Sequence, residues 1–147
     1  LPVRAARPED AALAPFAPPQ SAAPMATEQV SEGSFRRTRS IDHVTGQEVF
    51  QRISDSGAET HLHTGITVHY ENSETYSIHP DDPLSAVGTC VWRKAYARGD
   101  WRAELRTEVT MRALDGVWRV EATLVAEDAQ GRVAERSWCE DIPRDLV

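Results

Sequence analysis

The chain has 147 residues, of which 40% are hydrophobic and 27% are charged, a composition typical of one globular domain rather than a disordered segment. Its formal net charge of −7 argues against a nucleic-acid partner, because phosphate binding requires a basic face. No apolar run approaches the roughly 20 residues of a membrane span and no signal peptide is recognisable, so we expect no membrane partner and a cytoplasmic location. Cys90 and Cys139 are too few for a disulfide scaffold.

Residues 1–33 are rich in proline and alanine and hold six of the nine prolines. Proline fixes φ and removes a backbone donor, so this stretch predicts an extended linker or a strap laid on a surface, with a disordered tail as the alternative. The sequence begins at Leu1 without an initiator methionine, so we expect a processed form or a piece of a longer polypeptide. The domain boundary is placed at residue 33, with an all-β domain over residues 34–147.

From Ser34 onward the sequence predicts strands separated by glycine-containing turns. The first strands are placed at Phe35–His43, Glu48–Ser54, Ala58–Thr64 and Ile66–Ile78. Turns fall at residues 44–47 and 55–57, and Gly65 marks a bulge or a kink. The run His79-Pro80-Asp81-Asp82-Pro83 predicts a loop, because two prolines in five residues deny a β-ladder its donors.

The second half of the chain predicts an antiparallel meander of four long strands. These strands are Ala86–Ala97, Trp101–Ala113, Val117–Glu127 and Arg132–Ile142. Each connection between them contains a glycine, which supplies the positive φ of a tight hairpin. Within 101–113 nearly every odd residue is apolar and every even residue is polar. Because side chains of a strand alternate between faces, this strand is expected to have one buried face and one wet face.

A sheet with one apolar face requires a cover, which the N-terminal hairpins, a curl of the sheet or another domain could supply. Burial of Trp101, Leu105, Val109 and Met111 would contribute about 6–12 kcal/mol at roughly 1.5–3 kcal/mol per side chain. This value is comparable with the net stability of a whole domain, so we expect protein to cap the face and leave no hollow. The predicted fold class is all-β, with a curved sheet, a sandwich or a partial barrel.

Histidines offer the first candidate chemistry. His61 and His63 are predicted to lie on one side of a strand, with His69 and Glu71 following. A metal site would need a carboxylate at shorter spacing and a second histidine half, and the sequence has neither, so solvent-exposed strand histidines are favoured. His79 beside the two carboxylates of Asp81 and Asp82 suggests general acid–base catalysis, but a proline-bounded loop favours Asx-type turn hydrogen bonds.

Nucleophilic catalysis has no signature, because no Gly-x-Ser-x-Gly elbow occurs in the sequence. Cys90 and Cys139 fall on the outer two strands of the four-stranded meander, about 14 Å apart at about 4.8 Å per strand, and are interpreted as small buried hydrophobes. The tripeptide at 98–100 matches an integrin-binding motif but is interpreted as a hairpin turn. No catalytic, cofactor-binding or metal-ligating residue is therefore assigned.

Several short runs in order resemble the C-terminal region of the X-Pro dipeptidyl-peptidase and CocE/NonD acyl esterase family of large bacterial hydrolases. The runs are Ser77-Ile78-His79-Pro80-Asp81-Asp82-Pro83-Leu84-Ser85, Arg98-Gly99-Asp100-Trp101 and Ile142-Pro143-Arg144-Asp145. The opening Leu1-Pro2-Val3-Arg4, Arg7-Pro8-Glu9-Asp10 and Pro15-Phe16 resembles the stretch that joins that region to the domain before it. The resemblance extends over essentially the whole chain, but none of its motifs is a catalytic signature.

The resemblance implies a parent with an α/β-hydrolase domain, which bears a Ser–Asp–His triad, followed by a jelly-roll domain. No residue of this chain matches the triad, so we expect a non-catalytic C-terminal accessory domain without a cofactor. Its expected partners are the parent's other domains or a homo-oligomer interface. One alternative is a small-molecule-binding β-barrel in which four tryptophans surround an apolar cavity. A histidine metal enzyme is the third possibility, since fold alone does not determine function.

Overall fold

The computed structural model describes residues 4–5, 7–12 and 16–145. A short 3-10 helix at Pro8–Ala12 is followed in the described ranges by eight strands. The strands are β1 (Thr27–Ser31), β2 (Ser34–Ile41), β3 (Glu48–His61), β4 (Ile66–His79), β5 (Asp82–Arg98), β6 (Trp101–Leu114), β7 (Val117–Asp128) and β8 (Gly131–Pro143). All of them belong to one sheet, and every pairing is antiparallel.

The order of the strands across the sheet follows the order of the sequence from β3 to β8. β1 and β2 lie end to end along the outer side of β3, with β2 beside its first part and β1 beside its last residues. β8 forms the opposite edge, and within the described residues it pairs only with β7. The sheet is therefore open and curved, and the predicted all-β antiparallel meander is confirmed.

Cross-strand register divides the side chains into two contrasting faces, because residues directly opposite one another share a face. We call the first the apolar face; it carries all four tryptophans, Trp92, Trp101, Trp118 and Trp138. The second, the polar face, carries the charged series of β6: Arg102, Glu104, Arg106, Glu108 and Arg112. The alternation predicted for residues 101–113 is confirmed.

The burial predicted for the apolar face is wrong. Trp101 is 49% exposed and Met111 43% exposed, and within the described residues only Gly57, Val68, Asn72 and Ala113 are buried. Contacts between elements join neighbouring strands only, so no second layer covers either face. The 16.3 kDa chain exposes 11573 Å², against about 7,500 Å² for a compact protein of that mass. The extended N-terminal stretch accounts for part of this excess, and the uncovered sheet for the rest.

The N-terminal stretch does not provide the cover. Residues 16–26 have no regular structure and are all exposed, and Phe16 is fully exposed. The segment predicted as a linker also contains β1, which pairs with the end of β3. The sheet therefore begins at Thr27 rather than at Ser34.

Three boundaries differ from the sequence-based prediction. The turn predicted at residues 55–57 is a bulge inside the single strand β3, where the register shifts between Asp55 and Ala58. Gly65 lies in the hairpin turn that joins β3 to β4, at a φ of 64°, so β3 ends at His61. The loop predicted at 79–83 is a two-residue turn, because His79 already pairs with Asp82 and β5 includes the second proline.

The bulge in β3 is built on two glycines that allow two backbones to approach closely. Gly57 has a φ of 68°, and a Cβ there would overlap the carbonyl oxygen of Ser31 and lie 2.7 Å from the nitrogen of Gly33. A Cβ on Gly33 would lie 2.5 Å from the carbonyl oxygen of Asp55. Only glycine is compatible with this crossing, because the nearest atoms at both positions belong to rigid backbone rather than to a movable side chain.

Replacing Gly57 by alanine should therefore lower the free energy of unfolding much more than replacing Gly99. Gly99 also has positive φ, at 57°, but a Cβ there meets nothing within 4 Å. Gly99→Ala should cost about 1–2 kcal/mol from backbone conformation alone. Gly57→Ala should exceed that cost by at least about 1 kcal/mol, because overlap with backbone is added. Urea denaturation of the two variants compares them directly, and equal losses would contradict the close approach.

Candidate functional site

A trough with an apolar lining lies on the apolar face of the sheet. It has a volume of about 320 Å³ and crosses the sheet from β2 to β7. Its floor follows one cross-strand row, in which Phe50, Tyr76, Gly88 and Met111 lie opposite one another on β3, β4, β5 and β6. Trp118 of β7 lines the far end.

The trough depends on the missing side chain of Gly88. A Cβ at this position would lie 3.2 Å from Cδ1 and 3.3 Å from Cε1 of Tyr76, so the tyrosine ring leans across the glycine. The ring of Phe50 lies beside it, with the two centroids 6.3 Å apart. A larger residue at this position would push the tyrosine ring aside and fill the floor of the trough.

Arginines border the trough on both sides. Arg39 of β2 forms an ion pair with Glu48, with Nη2 and Oε2 2.6 Å apart. On the far side the guanidinium of Arg144 lies 4.8 Å from the ring centroid of Trp118, which is cation–π geometry. The Nε of Arg144 is buried and has no hydrogen-bond partner among the described residues.

A polar network lies in the middle of the apolar face. Its centre is Asn72, which is only 4% exposed. With the amide oriented to satisfy both ends, its oxygen accepts from Nε1 of Trp92 at 2.8 Å and its nitrogen donates to Oε1 of Glu74 at 2.9 Å. Arg52 donates to the same glutamate at 3.1 Å. Burial, followed by the negative charge of Glu74, raises the pKa of Tyr76.

The histidines do not converge. His61 is the last residue of β3 and its Nδ1 lies 3.2 Å from the sulfur of Met25, whereas His63 lies in the following turn. The prediction that these two share one side of a strand is therefore wrong. His69 is on the polar face, where its Nε2 is 2.7 Å from Oδ1 of Asp55. Among the described residues, no three His, Cys, Asp or Glu side chains are arranged to hold a metal ion.

The acidic turn between β4 and β5 shows the predicted Asx-type hydrogen bonding. Oδ1 of Asp82 accepts the backbone N–H of Leu84 at 3.0 Å. The backbone N–H of Asp81 donates to Nδ1 of His79 at 3.2 Å, and the N–H of His79 donates to Oγ of Ser85 at 2.7 Å. The imidazole and the hydroxyl thus stabilise the turn itself.

Cys90 and Cys139 are both free thiols and lie on opposite faces of the sheet. Cys90 lies on the apolar face with its sulfur 3.4 Å from the amide of Asn72. Cys139 is exposed on the polar face, so its prediction as a buried hydrophobe is wrong. The tripeptide at 98–100 forms the β5–β6 hairpin turn, as predicted.

The sequence reasoning missed the two residues that shape this face. Gly88 and Asn72 occupy positions in β5 and β4 whose neighbours on the same face are mostly apolar. A glycine or an amide that interrupts an apolar series is a signal of close approach or of a buried hydrogen bond. For Asn72 this signal is hidden because the alternation in residues 48–79 is irregular, whereas Gly88 lies outside that stretch and its closeness to Tyr76 depends on strand register.

Comparison of the chain with family models, with curated proteins and with solved structures finds no match in any of the three. The resemblance to X-Pro dipeptidyl-peptidases and CocE/NonD esterases therefore rests on the short sequence runs alone. In the described ranges, no helix combines the length and the apolar character needed to cross a membrane.

Asp55 links the bulge to the polar face electrostatically. Its Oδ1 accepts the backbone N–H of Gly57 at 2.8 Å and faces Nε2 of His69. The hydrogen bond from Gly57, followed by that with His69, lowers the pKa of Asp55. A carboxyl whose folded pKa is depressed contributes stability above its unfolded pKa of about 4 and loses that contribution as pH falls through the folded pKa.

The stability of the chain should accordingly fall below about pH 4, and Asp55→Asn should make the fall shallower. The amide can still accept from Gly57 but carries no charge to be neutralised. Urea midpoints measured from pH 6 to pH 2 test this expectation. Asp81→Asn is the matched control, because the Asp81 side chain makes no hydrogen bond to a described residue. Equal pH dependence in wild type and Asp55→Asn would contradict the role of this carboxylate.

Proposed function

We propose that this chain is a non-catalytic accessory domain that packs through its apolar face onto another domain of a larger polypeptide. The observation that carries the proposal is the uncovered apolar face, on which four tryptophans and Met111 lie without a second layer. Contiguous exposed apolar surface of this extent marks an interaction site in proteins that stay in solution. Aromatic residues and methionine are also the types enriched at protein interfaces.

Polar groups on the same face support a packing role. The Nε atoms of Arg52 and Arg144 are buried but lack hydrogen-bond partners among the described residues. Both guanidinium groups lie over aromatic rings, Phe35 and Trp118 respectively. Arginine, like the aromatic residues, is enriched at protein interfaces, so these two guanidinium groups are compatible with a covering domain on this face.

The proposed parent is a bacterial serine hydrolase of the X-Pro dipeptidyl-peptidase or CocE/NonD type. Support comes from the sequence runs that resemble the C-terminal region of that family. Two of them, residues 77–85 and 142–145, lie at the end of the sheet that holds the trough. Catalysis and substrate choice are then properties of the α/β-hydrolase domain of the parent.

The test is to express the chain with and without the polypeptide encoded directly upstream of Leu1. We expect a Gly-x-Ser-x-Gly elbow in that polypeptide and hydrolysis of a p-nitrophenyl ester or an X-Pro anilide only when it is present. Hydrolysis by the isolated chain would overturn the non-catalytic assignment. An upstream sequence without a hydrolase signature would overturn the proposed parentage.

Met111→Asp should weaken association with the upstream polypeptide at least about tenfold, because the interface would bury an unpaired carboxylate. In the isolated chain the same substitution should cost only about 1 kcal/mol, because Met111 is already 43% exposed. Arg112→Asp, one residue away on the polar face, is the matched control and should leave association unchanged. Titration calorimetry on the separately purified parts measures both variants. Equal effects would show that the apolar face is not the interface.

Small-molecule binding is the second candidate, because the trough of about 320 Å³ falls within the range of ligand pockets. It would take an apolar chain, because most of the side chains that line it are apolar. Titration with fatty acids should then shift tryptophan fluorescence saturably through Trp118. Gly88→Val should abolish the shift by filling the floor, whereas Ala103→Val, elsewhere on the apolar face, should not. A non-saturable response, unchanged by Gly88→Val, would leave the packing role as the better explanation.

A further inference from the structure

The second edge of the sheet is a long strand with no partner. All 13 residues of β8 are exposed, and within the described chain its outer backbone groups pair with nothing. A strand edge of this kind is a template for another strand, and native proteins block such edges with proline, bulges or charge. β8 has no proline before Pro143, at its last position, and its one register shift lies near its start, at Val133, so residues 134–143 are regular.

The opposite edge is less suited to pairing. It consists of β1 and β2, which are shorter and are interrupted at Gly33 where β3 bulges. β2 also concentrates positive charge, with Arg36, Arg37 and Arg39 within four residues. The β8 edge is therefore the longer and more regular of the two.

Two charges on β8 lie on the apolar face. Arg136 is opposite Leu124 of β7, and Glu140 is opposite Val120. Neither forms an ion pair with another described residue. Charges in such positions disfavour most partner strands, because they would be placed against apolar groups. They favour one partner, a strand that presents charges of opposite sign at the same spacing.

We propose that two copies of this chain pair β8 with β8, antiparallel, about a two-fold axis at Trp138. This register places Arg136 of each copy directly opposite Glu140 of the other, so two ion pairs form. On the same face Trp138 meets Trp138, and Ala134 meets Ile142. In a two-fold antiparallel pair, the numbers of any two opposed residues add up to twice the number of the residue on the axis. Residues 136 and 140 are therefore opposite each other only when the axis passes through Trp138. The strand is thus complementary to itself, as an isologous interface requires.

The polar face is compatible with the same register. Ser137 lies opposite Cys139 of the other copy. Glu135 lies opposite Asp141, and each carboxylate already has an arginine of its own copy: Arg132 for Glu135 and Arg119 for Asp141. The bidentate pair from Arg119 lowers the pKa of Asp141, so this carboxylate is the one held most firmly by its arginine.

The pairing joins the two sheets into one, with both apolar faces on the same side. It concerns the edge rather than the face, so it holds whichever polypeptide covers the face. It adds a ladder of backbone hydrogen bonds over residues 134–142 of both copies.

Charge reversal tests the register. The wild-type chain should sediment as a dimer of twice 16.3 kDa. Arg136→Glu alone, or Glu140→Arg alone, converts both ion pairs into like-charge pairs and should weaken the dimer about tenfold. The double variant Arg136→Glu/Glu140→Arg should restore wild-type affinity. Arg102→Glu, an exposed arginine on the polar face of β6, should have no effect.

A covalent readout fixes the geometry independently. Ser137→Cys should form two interchain disulfides with Cys139 under mild oxidation, identified by peptide mapping. The two wild-type Cys139 residues should not cross-link to each other, because in this register they lie two positions apart along the paired strands. The distance between their Cα atoms then exceeds the roughly 7 Å that a disulfide can span. Trp138→Cys in a Cys139→Ala background should also cross-link. Along an antiparallel pair of strands, opposed residues alternate between wider and closer Cα spacing. Either the 137–139 pair or the 138–138 pair therefore has the closer spacing that favours a disulfide.

Several results would overturn the proposal. The first is a wild-type chain that stays monomeric at all concentrations. The second is a double charge reversal that does not restore the dimer, and the third is a disulfide between two wild-type Cys139 residues. A dimer formed through the apolar faces would be recognised because Ser137→Cys, on the polar face, would not cross-link. Arg112→Cys, also on the polar face but two strands away, is the control for random collision.

Discussion

Hydrogen bonds between neighbouring backbones hold this fold together, because the described elements make no contact except with the next strand in the sheet. Each such bond contributes only about 1 kcal/mol net, while ordering a residue costs about 1–2 kcal/mol of backbone entropy. A globular domain makes up the difference by burying apolar surface, and this sheet leaves most of that surface open. The ladder of backbone hydrogen bonds therefore sets the geometry of the sheet. Further stabilisation would come from burial of the apolar face under a covering layer.

The polar network around Asn72 shows that the face is organised as well as apolar. The amide joins β4 to β5 through Trp92, and Glu74 joins β4 to β3 through Arg52. Both links connect residues on adjacent strands, so they oppose any slip in register. The ion pairs of the exposed polar face, such as Arg112 with Glu121 at 4.0 Å, contribute far less because solvent screens them. Specificity on the apolar face thus comes from a few satisfied hydrogen bonds among large side chains.

The strands of the second half could be predicted closely because two independent signals agree there. Strict alternation defines the faces of β6, and a glycine marks each tight turn, as at Gly99 and Gly116. In the first half the same logic misplaced elements. Gly57 has a positive φ typical of a turn, yet it forms a bulge within β3, because Gly33 on the neighbouring edge leaves room for the crossing. Local sequence does not reveal such a partner 24 residues away (57 minus 33).

The candidate site was less accessible to sequence reasoning than the fold. Alternation identified the apolar face correctly, but it carries no information on whether anything covers that face. The trough arises from Gly88 on one strand and the ring of Tyr76 on the next, a pairing that depends on register. Register in turn depends on the bulge and on the length of the turn after His79, both of which differ from the prediction. A wrong turn length thus gives a wrong register, and so misplaces the residues of the trough even where each strand is recognised.

The strand order has a consequence for how the chain acquires its structure during synthesis. From β3 to β8 each strand lies beside the one made just before it, and β1 and β2 await β3 along a single side. From β4 onward, every new strand leaving the ribosome therefore meets a template already in place, and none of these pairings waits for distant sequence. From β3 onward growth is therefore vectorial, and each added strand in turn presents the open outer edge, which among the described strands is finally that of β8.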